Sequence, residues 1–369
     1  MFNGHTDTVP DILGRLGAPI GLAIFTEGNH FPALLGGEVI EPFRAHAETA
    51  YSGLALDNIV VVTLPQPVIV RMLLGRGLSL GNLTLEVSRE SGFYPDIVMA
   101  GVAPLTQLRK ALLVEAKARV FARNRGLSLL VAAGNPLGIQ SLDDLAHPAI
   151  RVVMASESEP GARHQYISAL EASIGQEATK SILTRETVTF PGRLGIPHRD
   201  VLQAIARRDA DVGIIFHHLA RYFAATYPEL CALVIVPGAE KFSSTIAMAQ
   251  TIDPLRVAAA TAFSEFFLGA ARELYPRYGF ARMTEAEFGL TIQLERRHGS
   301  GGEPGETADV GDVVEAGYHL AELARPRCAE DRCHQHIEFG GEARSLLGDV
   351  GSGDARIMAS GQAPSVKEL

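Results

Sequence analysis

The sequence predicts a mixed α/β protein in two domains or lobes. Three observations carry this. Apolar, β-rich runs at Gly21–Phe25, Asn58–Leu64 and Pro95–Gly101 alternate with segments of helical pattern, the signature of a parallel sheet with helices on both faces. The length, 369 residues, exceeds what one core usually organises. Hydrophobic residues make up 47% and aromatics 7%, which places the chain among globular rather than disordered sequences.

The elements follow in order. Gly21–Phe25 (GLAIF) reads as a buried first strand and Val39–Ala50 as an amphipathic helix. Asn58–Leu64 is the second strand and stops at Pro65-Gln66-Pro67, after which Val68–Leu74 opens a helix. Gly75–Ser91 is Gly-rich with alternating apolar residues and stays ambiguous. Pro95–Gly101 is the third strand, followed by a helix over Leu105–Val114. Val120–Ala133 enters a new region, Asn135–Gly138 turns, and Ser141–Leu145 forms a short capped helix. Glu171–Thr184 and Val201–Ala206 are helical in pattern, while Ala210–Phe216 and Thr245–Ala249 are strands. A long helix spans Pro254–Tyr275, with Asp253 as N-cap, Pro254 at its first position and Pro276 past its end. From residue 295 the chain turns Gly-rich and charged, which predicts a poorly ordered tail in which only Val310–Leu323 is helix-capable.

One stretch suggests chemistry. Arg151–Tyr166 (RVVMASESEPGARHQY) reads as a strand, a small-residue loop and a helix start at Pro160-Gly161-Ala162, with Ser158 or Glu159 as cap. The first turn of a helix has N–H groups without intrahelical acceptors, and its dipole adds partial positive charge. Such an end holds an anion. The same pattern also describes an ordinary connection in an α/β fold.

Other features exclude function classes. A net charge of −9 offers no bulk basic surface for nucleic acid. Cys231, Cys328 and Cys333 are odd in number and imply no disulfide framework. No apolar run approaches the roughly 18 residues of a membrane span. Met1–Ile20 has one basic residue, Arg15, and no apolar core, so no export signal is expected. No G-x-S-x-G elbow, P-loop or HExxH is expected, and GRGLSLGN at Gly75–Asn82 is not a dinucleotide fingerprint. Neither an enzyme nor a cofactor is expected. Cys328, Cys333, His334 and His336 only loosely suggest a metal site, because the spacing is not that of a zinc finger.

Arg123–Leu170 (RNRGLSLLVAAGNPLGIQSLDDLAHPAIRVVMASESEPGARHQYISAL), Asp200–Phe216 (DVLQAIARRDADVGIIF) and Phe263–Phe280 (FSEFFLGAARELYPRYGF) resemble, in order and spacing, the molybdate-type substrate-binding proteins of ABC transporters. The resemblance covers about residues 20 to 290. It implies a type 2 periplasmic-binding-protein-like fold. Lobe one would be residues 20–120 plus 245–290, lobe two 121–244, with an extension at 1–19 and a tail at 295–369. The ligand would sit in the cleft between the lobes, which close on it by a hinge motion.

Carried over by position, the resemblance points to Thr26, Gly28, Asn29 and His30 after the first strand, and to Gln66 after the second. It points further to Ser158, Gly161 and Ala162 at the helix start, to His198 before the Ala210–Phe216 strand, and to Phe216 and His217 after it. The chain departs from the family where Ala-Ala-Ser-Leu becomes Thr26–His30, where Ser-Gly-Ser becomes Leu64-Pro65-Gln66-Pro67, and where a tyrosine becomes Phe216. Glu27 would oppose a dianion at close range.

The expected function is capture of a molybdate- or tungstate-like oxyanion for an ABC permease, in the periplasm. Three alternatives stay open. A Zn- or Ni-like ion would use Glu27, His30, His198 and His217, next to His218. An organic anion would use Arg163, Arg193 or Arg199. A cytosolic ligand-sensing domain of a regulator would fit the missing export signal.

Overall fold

The computed structural model describes residues 11–30, 34, 37–80, 83–157, 159–187 and 197–294. Ser158, the loop holding Arg193, the helix-capable Val310–Leu323, the tail cysteines and histidines, and most of the N-terminal extension lie outside them.

The described chain begins with β1 (Asp11–Leu13), β2 (Leu22–Glu27), α1 (Ile40–Ala50), β3 (Ile59–Leu64) and α2 (Gln66–Gly75). The ambiguous Gly-rich stretch is a hairpin of β4 (Gly77–Leu80) and β5 (Leu83–Glu86). Its residues Gly77 to Gly81 do spell G-x-S-x-G. Ser79 lies within β4, paired with Thr84, so the strand-to-helix turn that a nucleophile elbow needs is missing there. Next come β6 (Ile97–Gly101), α3 (Val102–Lys110), β7 (Lys117–Arg123), β8 (Leu127–Ala132) and β9 (Val152–Met154). The chain continues with α4 (Pro160–Ile174), α5 (Gln176–Thr184), α6 (Pro197–Ala206), β10 (Val212–Phe216), α7 (His217–Thr226) and β11 (Cys231–Ile235). It closes with β12 (Thr245–Gln250), α8 (Val257–Arg277) and β13 (Thr291–Gln293).

Two main sheets result. The larger has the order β1-β3-β2-β6-β12-β7-β13 and the smaller β11-β8-β10-β9. β2 is parallel to both β3 and β6, and β9 is parallel to β10. β12 runs antiparallel to β6 and β7, and β8 antiparallel to β10 and β11. The fold is therefore mixed α/β with two sheets, and the expectation of purely parallel pairing holds only for β2, β3, β6 and for β9, β10. β1, β11 and β13 pair at sheet edges, and the sequence pattern did not signal them. They are three to five residues long, and their partners are remote in sequence.

The central strands β2 and β3 are buried along their whole length and mostly apolar, because both faces are covered. On β2, Leu22 and Ile24 pack with Phe43, Phe263 and Phe267, while Phe25 packs with Val62, Ile69, Met72 and Leu105 on the other side. The smaller sheet has its own core around Leu129, Val153, Tyr166, Val201, Ile214 and Phe223.

Two connections link the sheets side by side. Asn124 N–H donates to the Ser244 carbonyl at 3.1 Å, and its side-chain amide to Ser244 Oγ at 2.6 Å. Asn124 Oδ1 accepts from Ser244 N and Gly126 N, both at 3.0 Å. Gly126 has φ +71°, and a Cβ there would stand 1.9 Å from the Ala239 carbonyl oxygen. Only glycine fits this crossing.

Several helix boundaries differ from the sequence pattern, among them α3, which spans Val102–Lys110 rather than Leu105–Val114. The run Glu171–Thr184 breaks at Gly175, which has φ +83° and separates α4 from α5. α8 starts at Val257 rather than Pro254, and Asp253 has φ +50° instead of capping it. The start is set from outside the helix. Buried Asp96 accepts the Arg256 N–H at 3.0 Å and its guanidinium at 2.8 Å. Pro276 lies in the last turn of α8, not beyond it.

Candidate functional site

The C-terminal ends of parallel strands, where open α/β sheets place ligands, bring most of the expected residues together in two groups. The first group belongs to the larger sheet. β2 ends at Glu27, followed by a 3₁₀ turn over Gly28–His30. β3 leads through Pro65 to Gln66, the first residue of α2, where Pro67 costs no helical hydrogen bond. The Gln66 amide donates to Glu27 Oε2. Its Oε1 lies 3.1 Å from where a Cβ on Gly101 would stand, so Gly101 leaves room for this side chain at the end of β6. Thr26 is buried, and its hydroxyl turns back to the Glu27 carbonyl at 3.4 Å.

His30 is 0% exposed and sits among Phe121, Tyr275 and Phe280, with ring centroids at 5.2, 5.5 and 6.0 Å. Its Nε2 is 3.5 Å from Glu27 Oε1. That spacing suits an ion pair, but burial pushes the imidazole pKa down to about 3. The ring is therefore neutral near pH 7, and the contact is not an ion pair. Among the described residues neither ring nitrogen has a hydrogen-bond partner, and the buried Tyr275 hydroxyl has none. Burial, and then the nearby Glu27 charge, hold that phenol well above its usual pKa.

The second group belongs to the smaller sheet. β9 leads to the first turn of α4, which contains Gly161 and Ala162. Glu159 occupies the N-cap position but does not cap the helix with its side chain. Its carboxylate lies 2.9 Å from His198 Nδ1 in α6. His198 Nε2 is 2.8 Å from the Tyr166 hydroxyl, and that hydroxyl accepts the Phe216 N–H at 3.0 Å. A tyrosine O–H given to Nε2 leaves Nδ1–H for Glu159, so each member of this buried chain has a partner. It ties α4, α6 and β10 together and commits both nitrogens of His198.

His217 opens α7. Its Nδ1 is 2.9 Å from Ser128 Oγ, and its backbone N–H donates to the Gly126 carbonyl at 2.9 Å. Burial, assisted by Arg125 and Arg221, pushes its pKa down to about 4. His218 is 2% exposed, and neither of its ring nitrogens has a hydrogen-bond partner among the described residues. Its ring stacks on Phe280 and also lies flat to Phe216.

These positions bear on the alternatives. Among the described residues no group of three His, Cys, Asp or Glu is placed to hold a metal ion. Glu27, His30, His198 and His217 therefore do not form one ligand set: His198 is held by Glu159 and Tyr166, and His217 by Ser128. Arg163 is committed as well, with Glu157 at 2.7 Å, Glu186 at 2.8 Å and the Ala155 carbonyl at 3.1 Å. Ser158, Arg193 and the side chains of Asn29 and Arg199 lie outside what the structure describes. Tyr166 and Tyr275 were not signalled by the sequence. Each lies within a helix, Tyr166 after Arg163-His164-Gln165 and Tyr275 after Glu273-Leu274, where no local pattern marks its hydroxyl, and only the fold brings these hydroxyls to strand ends.

Residues 34–281 match the family model described as bacterial extracellular solute-binding protein. A comparison with curated proteins finds no match. Among solved structures, the chain is similar to the sulfate-binding protein SubI from Mycobacterium tuberculosis H37Rv, with 17% identity and a TM-score of 0.54 over 73% of this chain and 88% of that one. It is also similar to a substrate-binding protein of an ABC transporter from Agrobacterium tumefaciens, with 9% identity and a TM-score of 0.53 over 76% of this chain and 87% of that one. At such identities the likeness is one of fold.

Proposed function

This chain belongs to the bacterial extracellular solute-binding protein family, and from that premise we propose that it captures a small tetrahedral oxyanion, the class of molybdate and tungstate, for an ABC permease. The ligand would sit between lobe one (20–120 plus 245–290) and lobe two (121–244), outside the cytoplasm, as is typical of the family. No helix among the described residues is long and apolar enough to cross a membrane.

One observation carries the reading. Four parallel strands, β2 and β3 in one sheet and β9 and β10 in the other, run into turns or helices whose first residues carry the expected ligand contacts. α2, α4 and α7 start there, and a helix start offers N–H donors with partial positive charge. The side chains nearby, Gln66, His30, Tyr275 and His218, are neutral donors. Dehydrated oxyanions are well held by neutral donors that need no counter-charge.

Titration calorimetry of the purified chain with molybdate, tungstate, sulfate and phosphate tests the proposal. Saturable heat from at least one supports it. Heat from none of them, with heat from Zn²⁺ or Ni²⁺, replaces the oxyanion by a metal cation.

A further inference from the structure

Hydroxyl groups buried in folded proteins nearly always have partners. At the strand ends three of them do. Thr26 Oγ1 donates to the Glu27 carbonyl, and Ser128 Oγ lies 2.9 Å from His217 Nδ1. The Tyr166 hydroxyl accepts the Phe216 N–H and meets His198 Nε2. Tyr275, in the last turns of α8, differs. It is 1% exposed, and its hydroxyl has no hydrogen-bond partner among the described residues.

The ring is fixed on several sides. Its centroid lies 4.9 Å from Phe280, 5.3 Å from Phe121, 5.5 Å from His30 and 5.9 Å from Phe267. Burial holds the phenol well above its usual pKa, so the group keeps its proton and remains a donor. A neutral donor in dry surroundings gains most from a charged acceptor. Nor is this an isolated defect. His30 and His218 are also buried, and their ring nitrogens also lack partners among the described residues. All three rings meet Phe280, with His30 at 6.0 Å and His218 at 4.1 Å. Buried polar groups without partners cost stability, and three around one ring mark a place kept for something else.

We infer that the Tyr275 hydroxyl is a direct ligand contact, donated from α8 to the captured oxyanion beside His30, and that the chain gives up stability to keep it unpartnered until the anion arrives. The inference rests on the oxyanion-capture reading above. It adds a contact from a helix interior, away from the turns that follow the strands.

Tyr275→Phe removes one oxygen and keeps the ring. Two measurements on the full chain test the inference. In calorimetry with sulfate, phosphate, molybdate and tungstate, whatever the wild-type protein binds should be bound at least about tenfold more weakly by the variant. In thermal unfolding without added anion, the variant should melt at the wild-type temperature or up to about 3 °C higher. Tyr166→Phe, the same change at a partnered hydroxyl, is the contrast and should melt lower. Affinity weakened by less than about threefold in Tyr275→Phe overturns the inference and leaves oxyanion capture standing. Melting more than about 3 °C below wild type overturns it too, because the hydroxyl is then already satisfied without the anion, as by a buried water. A folded wild-type chain that binds none of the four anions overturns oxyanion capture and this inference together.

Discussion

The imidazole of His218 lies flat on the ring of Phe280, with centroids 4.1 Å apart and planes 20° apart. His218 belongs to the first turn of α7, beside the smaller sheet, and Phe280 follows α8, which packs on the larger one. Phe280 also stacks with His30, at 6.0 Å and 15°. Two imidazoles thus face one phenyl ring where the two halves of the fold meet. The backbone is close here as well: a Cβ on Gly279 would stand 3.1 Å from His218 Cα.

Acid should loosen this contact. Burial lowers the His30 pKa from 6.5 to about 3 and puts that of His218 well below its usual value. Both rings are neutral in the folded state and regain an ordinary pKa on unfolding. The His30 contribution is fully present above about pH 6.5 and is lost as pH falls toward about 3, by about 1.4 kcal/mol per pH unit, and that of His218 is likewise lost as pH falls below about 6.5. Melting temperatures measured between pH 7.5 and 4.5 should fall, and should fall less steeply in His30→Gln and His218→Gln. Variants as acid-sensitive as the wild type would show that these rings do not carry the effect.

Phe280→Ala should cost about 3 to 5 kcal/mol in urea unfolding. Phe280 is buried and touches His30, His218 and Tyr275. A cavity there has polar walls that find no partner. A loss below about 1 kcal/mol would mean that the ring is not a shared core element.

Tyr166→Phe removes a single oxygen. The Phe216 N–H loses its acceptor and His198 Nε2 loses its partner, both in buried surroundings. The expected loss is about 1 to 3 kcal/mol. Ligand affinity should fall with it, because Tyr166 no longer ties His198 of α6 and the end of β10 to α4, and only the Glu159 contact still holds His198. Unfolding and titration of the same variant check both effects, and unchanged affinity would separate this network from binding.

Gly126→Ala should be among the most damaging single-methyl changes in the chain. The added carbon meets the Ala239 carbonyl oxygen, a backbone atom, at 1.9 Å, and the backbone is left-handed there. A loss of more than about 2 kcal/mol in thermal unfolding is expected. A neutral outcome would show that the crossing between the sheets relaxes freely.

Particular residues show why only part of the site was legible. Gln66 could be placed because a strand stops at Pro65 and a helix starts with Pro67, signals that act within a few residues. Glu27, His30, His198 and His217 could be placed at loop starts for the same reason. Their availability could not be read. The commitment of His198 to Glu159 and Tyr166, and of Arg163 to Glu157 and Glu186, depends on residues up to 39 positions away in the chain. The asparagine latch between Asn124 and Ser244 spans 120 positions and has no local pattern at all.

By itself the sequence determined the α/β class, the long apolar strands and the turns that open α2 and α4, because hydrophobic periodicity and proline or glycine geometry are properties of neighbours in the chain. Tertiary structure alone decided which strands run antiparallel, where α8 begins, and which buried nitrogens and hydroxyls are left unpartnered. The physical reason is that a hydrogen bond or a desolvation cost depends on what the fold brings within a few ångströms, and those groups come from segments that share no local signal.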